Sequence, residues 1–212
     1  NMQSRAVELE SAISLFENDI ICGSNRFESW FLLGQSYGYL VEDDLIWTAD
    51  KLTASDRKIT TANLQRKSLI CYLMAINKSL DESIKDVIKP VVGNLMSLFA
   101  KEMFSAVCEP MSMHAFKVQS HPRFINRVNG ALFEPVSQFP AVDKTVCLKI
   151  IQQSLQLSIK SSCREWSDYY YLAKVQRKLD KPAGLVMETM ASACRSAFKN
   201  KHADNIIEPH YN

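Results

Sequence analysis

The sequence predicts an all-α chain, a solenoid of helical hairpins with one long insertion and one irregular, proline-containing connection. Three observations point there. Gly is 6 and Pro 7 among 212 residues, few for a turn-rich β fold. Apolar residues recur at three- and four-residue spacings, and no stretch sustains alternation of period two. The octet Trp30-Phe31-Leu32-Leu33-Gly34-Gln35-Ser36-Tyr37 fits a repeat pattern, W-x2-L-G-x2-Y, without mismatch.

The first helix is expected over 4–20, where Leu9, Ala12, Ile13, Phe16 and Ile20 form one stripe. Gly23-Ser24-Asn25 interrupts it. A second helix follows over 27–47, with Trp30, Leu33, Tyr37, Leu40 and Leu45 roughly in register. Residues 48–60 are polar and read as a loop. Thr60 or Thr61 then caps a helix over 62–79 carrying Leu64, Leu69, Tyr72, Leu73 and Ile76. A helix over 82–108 contains Pro90, which should kink or split it. Residues 109–142 hold Pro110, Pro122, Pro135 and Pro140 among Phe116, Phe124, Phe133 and Phe139. They read as an ordered, irregular connection with one short helix, because so long a structureless loop is uncommon. Three helices follow, at 143–160, 164–179 and 183–200, with Lys181-Pro182 ending the middle one.

The octet at 30–37 is the first-helix pattern of a tetratricopeptide-like repeat. Gly34 lets a neighbouring helix approach, while Trp30, Leu33 and Tyr37 fill the space between helices. Ala12, Phe16 and Ile20 sit where the second helix of an earlier repeat would, with Asp19 as a mismatch at a small-residue position. Ser68, Tyr72 and Ala75 form the next second-helix set, displaced by an insertion over 41–65 that lengthens the first helix and adds the polar loop. A degenerate second copy places Tyr169, Leu172, Ala173 and Gln176 on its first helix and Cys194 and Phe198 on its second. The expected organisation is a first helical block over 1–108, the connection over 109–142, and a second block over 143–212, cut off at a following repeat near Pro209. The ends read as those of a piece of a longer array, in which repeats touch only their neighbours.

Charge is asymmetric. Residues 1–56 hold ten acids and three bases, a balance of −7, so the rest of the chain carries +9 of the net +2. The six cysteines form no C-x-x-C pair, and Cys71, Cys108 and Cys194 lie in apolar stretches, which fits a reducing compartment. The first twenty residues, acidic and amphipathic, are not expected to act as a secretory leader, and no apolar run is long enough for a membrane span. The four histidines (His114, His121, His202, His210) build no metal motif, and no phosphate-cradling glycine loop or nucleophile elbow occurs. We therefore expect no enzyme, no metal and no cofactor.

Binding surfaces are the better target. The groove of a hairpin solenoid is lined by first-helix residues pointing away from the packing set. For the first copy these are Glu28, Phe31, Gln35 and Tyr39; for the second, Ser167, Tyr170, Lys174, Arg177 and Lys178. Three bases at that spacing suit the carboxylates of an acidic peptide, the alternative being a solvated basic face. Residues 149–201 carry ten Lys or Arg against four acids, mixed into amphipathic helices, so contact with DNA is at most non-specific.

The runs FESWFLLGQSYGYLVEDDLIWTADKL and QRKSLICYLMAI, with MHAFKVQSHPRF and WSDYYYLAKVQRKL further on, resemble the third-subunit family of fungal HIR histone-chaperone complexes. That family is related to the calcineurin-binding Cabin protein of animals. The resemblance implies a nuclear helical-repeat scaffold in a complex that assembles histones H3–H4 into nucleosomes outside replication and represses histone genes. It implies WD-repeat subunits and a Hpc/ubinuclein-type subunit as partners, with an Asf-type chaperone and histones reached indirectly; the helix faces themselves add self-association as an expected contact. No catalytic residue is carried over. A self-contained peptide-binding module of the co-chaperone kind, gripping an acidic segment, is the alternative.

Overall fold

The structure is a computed structural model; it describes residues 2–24, 26–47, 55–80, 85–117, 123–126, 133–136, 142–161 and 165–199. Its long elements, among the described residues, are helices α1 (Met2–Ile21), α2 (Phe27–Trp47), α3 (Ser55–Ser79), α4 (Lys85–Val107), α5 (Lys144–Lys160), α6 (Trp166–Lys178) and α7 (Ala183–Lys199). The all-helical class and the adjacent packing of successive helices follow the expectation. The broadest interfaces join α2 to α3, α4 to α5 and α6 to α7, and narrower ones join α1 to α2, α3 to α4 and α5 to α6. Helices α2 and α4 barely touch.

The main core runs through these pairs. Leu95, Phe99 and Met103 of α4 meet Ile151 and Leu155 of α5 and Leu172 and Val175 of α6, with Phe27, Phe31, Leu69 and Tyr72 from α2 and α3 on the other side. The core thus continues across the place where the two expected blocks would divide, because α4 and α5 pack together although the connection separates them in sequence.

Three local expectations need correction. Helix α3 starts at Ser55, so the second half of the expected polar loop is helical and Thr60 and Thr61 are not caps. The cause is the acidic end of α2: Asp44 accepts a hydrogen bond from the Thr61 hydroxyl at 2.9 Å and pairs with Arg57 at 3.4 Å. Pro90 does not split α4, which is continuous from Lys85. In the sixth position of a helix its ring costs one backbone hydrogen bond near an end where several are missing anyway. Finally, the connection contains two short strands, β1 (Arg123–Asn126) and β2 (Phe133–Val136), paired antiparallel with Phe124 opposite Pro135. Four-residue strands are too short for a period-two pattern to show.

The early part of the connection returns to the helices. A 3-10 turn at His114–Phe116 follows α4, and Met111 and Ala115 are fully buried. Arg66 of α3 holds this segment, donating to the carbonyls of Ala115 and Lys117 at 2.9 Å each. The turn from α6 to α7 closes through Asp180 in the left-handed region (φ 52°), with the Lys181 N–H donating to the Gln176 carbonyl at 3.0 Å. The expected cysteine 163 and the histidines at 121, 202 and 210, with Pro209, lie outside the described residues, and Phe198 falls in the last turn of α7.

Candidate functional site: a groove between the second and fourth helices

Gly34 sets the spacing of α2 and α3. A Cβ there would sit 3.1 Å from a Tyr72 ring carbon and 3.2 Å from the Cys71 Cβ, closer than side chains ordinarily pack. With no side chain in the way, the Ser68 hydroxyl donates to the Gly34 carbonyl at 2.8 Å. Leu33, Tyr37 and Cys71 form a small cluster between α2 and α3, onto which Ile13, Phe16 and Ile20 of α1 pack. Trp30 is half-buried and reaches both this cluster and the main core. Ala75 is fully buried on α3, while Ala12 keeps part of its surface in solvent. Asp19, the mismatched position of α1, accepts a hydrogen bond from Ser29 at the start of α2; that bond and a second from Ser24 hold its carboxyl below the usual range. The Tyr37 hydroxyl donates to Glu17, and burial together with that acid pushes the phenol up.

On α6, Leu172 and Ala173 are buried and Tyr169 is half-buried. The residue that organises this region is Asp168, which the sequence reading passed over. It is fully buried and accepts from Ser97 of α4 at 2.5 Å and from Ser158 of α5 at 2.6 Å. Lys101 of α4 pairs with it at 3.1 Å and also reaches Glu165 at 3.6 Å and Ser167 at 2.9 Å. One carboxylate thus ties three helices.

Because α2 and α4 diverge, a cavity of about 390 Å³ opens between them. Tyr72 of α3 and Tyr171 of α6 border it, with Tyr39 and Glu42 from α2 and Leu98 and Glu102 from α4. Glu102 is the unusual group. Among the described residues its buried Oε1 has no hydrogen-bond partner, and its Oε2 lies near Gly38, where a Cβ on that glycine would be 3.4 Å away. Burial pushes its carboxyl up to about 8, a hydrogen bond from Gln65 opposes the shift, and the charge of Glu42 adds to it. Burial and the Glu102 charge likewise push the Tyr72 phenol up.

The expected partner-binding residues divide. Glu28 and Tyr39 are exposed and Gln35 is half-buried, bonded to the Tyr39 hydroxyl at 3.1 Å. Phe31 and Tyr170, however, are core residues: Phe31 packs on the Tyr72 ring at 6.3 Å and Tyr170 is only 4% exposed. Neither presents its ring to solvent. Both belong to stripes whose apolar width exceeds the packing pattern, so they turn inward. Lys174 is half-buried with its ammonium 4.7 Å over the Tyr170 ring, whereas Arg177 and Lys178 are exposed. Asp168 and Glu102 were legible in one respect. Asp168 shares a buried stripe with Leu172 and Val175, and Glu102 shares one with Leu95, Phe99 and Ala106. An acid at the i, i+4, i+7 spacing of core residues is the signal.

Among the described residues no three His, Cys, Asp or Glu side chains converge as metal ligands, and no helix is long and apolar enough to cross a membrane. In comparison with known proteins, the model of the HIR3 helical bundle domain matches residues 1–162. A histone transcription regulator 3 homolog of Debaryomyces hansenii is 58% identical over 99% of the chain, and those of Kluyveromyces lactis and Eremothecium gossypii are 36% and 33% identical over 100% and 99% of it. The chain spans only 12% to 14% of the length of these relatives.

Proposed function

Because the chain belongs to the HIR3 helical bundle family, we propose that it is a non-catalytic scaffold segment of a HIR-type histone-chaperone complex. It acts in the nucleus through protein–protein contacts, in histone gene regulation and in replication-independent assembly of H3–H4 nucleosomes. The observation that carries this is similarity along nearly the whole chain to proteins named as histone transcription regulators. The hairpin series supports it, since each helix pair packs on its neighbours and leaves outer faces and a groove for other subunits. The regularity of a tetratricopeptide-like repeat belongs to the same proposal, as do the packing roles of Trp30, Leu33, Gly34 and Tyr37.

The WD-repeat and Hpc/ubinuclein-type subunits are the proposed direct partners, with the Asf-type chaperone and histones reached through them. The test is co-purification of the immobilised chain with each purified subunit, followed by crosslinking mass spectrometry of the intact complex. Retention of a folded subunit across a broad surface is expected. Failure of every subunit to bind, or retention of only a short tail, overturns the scaffold reading.

A second reading has one observation in its favour. Lys144 of α5 and Lys174 and Lys178 of α6 stand close enough to Cys108, at the end of α4, that their charges oppose the upward shift burial imposes on its thiol. This basic corner suits an acidic peptide. Lys174→Glu with Arg177→Glu abolishes binding of such a peptide if that reading holds; unchanged affinity removes it.

A further inference from the structure

We propose that the cavity between α2 and α4 receives a lysine or arginine side chain from a basic segment of a partner protein, with Glu102 and Glu42 as its acceptors. Buried polar atoms are almost always hydrogen-bonded, and among the described residues Glu102 Oε1, like Oε1 of the adjoining Gln65, is not. A cationic donor entering the cavity supplies what that oxygen lacks. The wall chemistry suits the remainder of such a side chain: Tyr39, Tyr72, Tyr171 and Leu98 offer aromatic and apolar surface for a methylene stem and ring faces for the charge. Glu42 stands exposed at the rim, so the field at the entrance is negative. A cavity of about 390 Å³ accommodates one long side chain with part of its backbone.

The groups facing Glu102 leave this role open to an incoming cation. From α2 come Tyr39 and Glu42, from α3 Gln65, Ser68 and Tyr72, and from α6 Tyr171. The cation that borders the cavity on α4 itself, Lys101, is committed elsewhere, to Asp168 at 3.1 Å and Glu165 at 3.6 Å. Gln65 donates to Glu102, but its own Nε2 is also engaged with Ser105 at 3.2 Å.

Binding is linked to a proton. In the free chain, with the Glu102 carboxyl pushed up to about 8, the group is mostly protonated at neutral pH. A bound cation favours the carboxylate, so the proton leaves to solvent as the partner enters. Affinity therefore rises by up to about tenfold per pH unit below pH 8 and levels off above it. This rests on the scaffold reading only in supposing a protein partner. A chain that joins the complex yet ignores the probe loses this inference alone.

The test is calorimetric titration of the 212-residue chain with an acetylated, amidated Gly-Arg-Gly-Arg-Gly peptide and its citrulline counterpart, at pH 6, 7, 8 and 9 and low ionic strength. The arginine peptide is expected to bind and to tighten on the order of 50-fold from pH 6 to 8, and the citrulline peptide to show no binding. Glu102→Gln, which copies the neutral acid in shape, loses the pH dependence and weakens binding at pH 8 at least about tenfold. Glu42→Gln weakens binding but keeps the slope. Carboxyl carbon NMR of the wild-type chain gives a readout independent of folding in the variants: one glutamate titrating near pH 8 moves to lower pH on addition of the arginine peptide. Absence of binding, equal binding of the citrulline peptide, a flat pH profile, an unaffected Glu102→Gln chain, or a carboxyl titration that does not move overturns the proposal.

Discussion

Replacing Asp168 tests the packing of α4, α5 and α6 at a single atom group. Alanine removes a fully buried carboxylate and strands two serine hydroxyls, Ser97 at 2.5 Å and Ser158 at 2.6 Å, in the interior. Each unsatisfied buried hydroxyl costs about 1–3 kcal/mol. Lys101 loses its 3.1 Å partner but keeps Glu165 and Ser167, both nearer solvent, so its share of the loss is small. The expected cost of Asp168→Ala is about 3–5 kcal/mol, in the range for breaking a buried pair from one side. Asp168→Asn keeps an acceptor and adds a donor that either hydroxyl can accept from. It forfeits only the charge, at about 1–2 kcal/mol. For a chain of this size the alanine variant melts roughly 6–20 °C lower. Urea unfolding followed by circular dichroism measures both variants, with the slope against urea confirming that the unfolded state is unchanged. An alanine variant that loses less than about 1 kcal/mol, or an asparagine variant that loses as much as alanine, would refute the reasoning that Asp168 is the tie.

Gly34→Ala should be nearly neutral, because the few tenths of an ångström that Tyr72 and Cys71 must yield offset a helix-propensity gain of about 1 kcal/mol, whereas Gly34→Leu should cost about 1–3 kcal/mol or more; urea midpoints decide. Glu102 gives stability a pH dependence. Its folded value of about 8 exceeds the ordinary 4.5, so between those limits the folded chain holds a proton that the unfolded chain has released. Unfolding free energy then falls as pH rises through that window, by up to about 1.4 kcal/mol per unit, and levels above pH 8; the difference between wild type and Glu102→Gln isolates the slope, which should not be zero. Burial pushes the Cys71 thiol up to about 11 and raises that of Cys147, while Cys22 is exposed. Peptide mapping after iodoacetamide treatment at pH 8 should find Cys22 alkylated on the order of 100-fold faster than either. Arg66→Ala should speed hydrogen exchange at 114–117, where its two carbonyl acceptors are released; unchanged exchange there would show the segment to be held by Met111 and Ala115 alone.

The helices were legible because each carries an apolar stripe, and Gly34 was legible because close approach demands a residue without a Cβ. What was not legible depended on partners distant in sequence. The polar start of α3 reads as loop until Asp44 is known to face Thr61 and Arg57. The pairing of α4 with α5 is hidden by the connection between them, so the sequence shows two hairpins where the core joins three. Phe31 and Tyr170 were assigned outward because the packing pattern accounts for only one side of a helix. In the structure their helices are covered on more than one side.

The buried Asp168 and the half-buried Glu102 are the places where local rules and structure part, and they part in opposite ways. Asp168 sits on a core stripe with two serines and a lysine collected around it, so its polarity is answered within the chain and makes a junction. Glu102 sits on an equivalent stripe of α4, two helices back, with an oxygen left unanswered among the described residues and a cavity beside it. A leucine there would complete the core and remove both the proton linkage and the vacant acceptor. A helical array that packs mainly between neighbours leaves α2 and α4 barely touching, and that gap is where an acid can be kept poorly paired without unfolding the pairs on either side. Residues that violate the consistency of the rest are expected where a protein meets something else. By that criterion the groove at Glu102, more than the basic corner at Lys174 and Lys178, is where this segment should touch a partner.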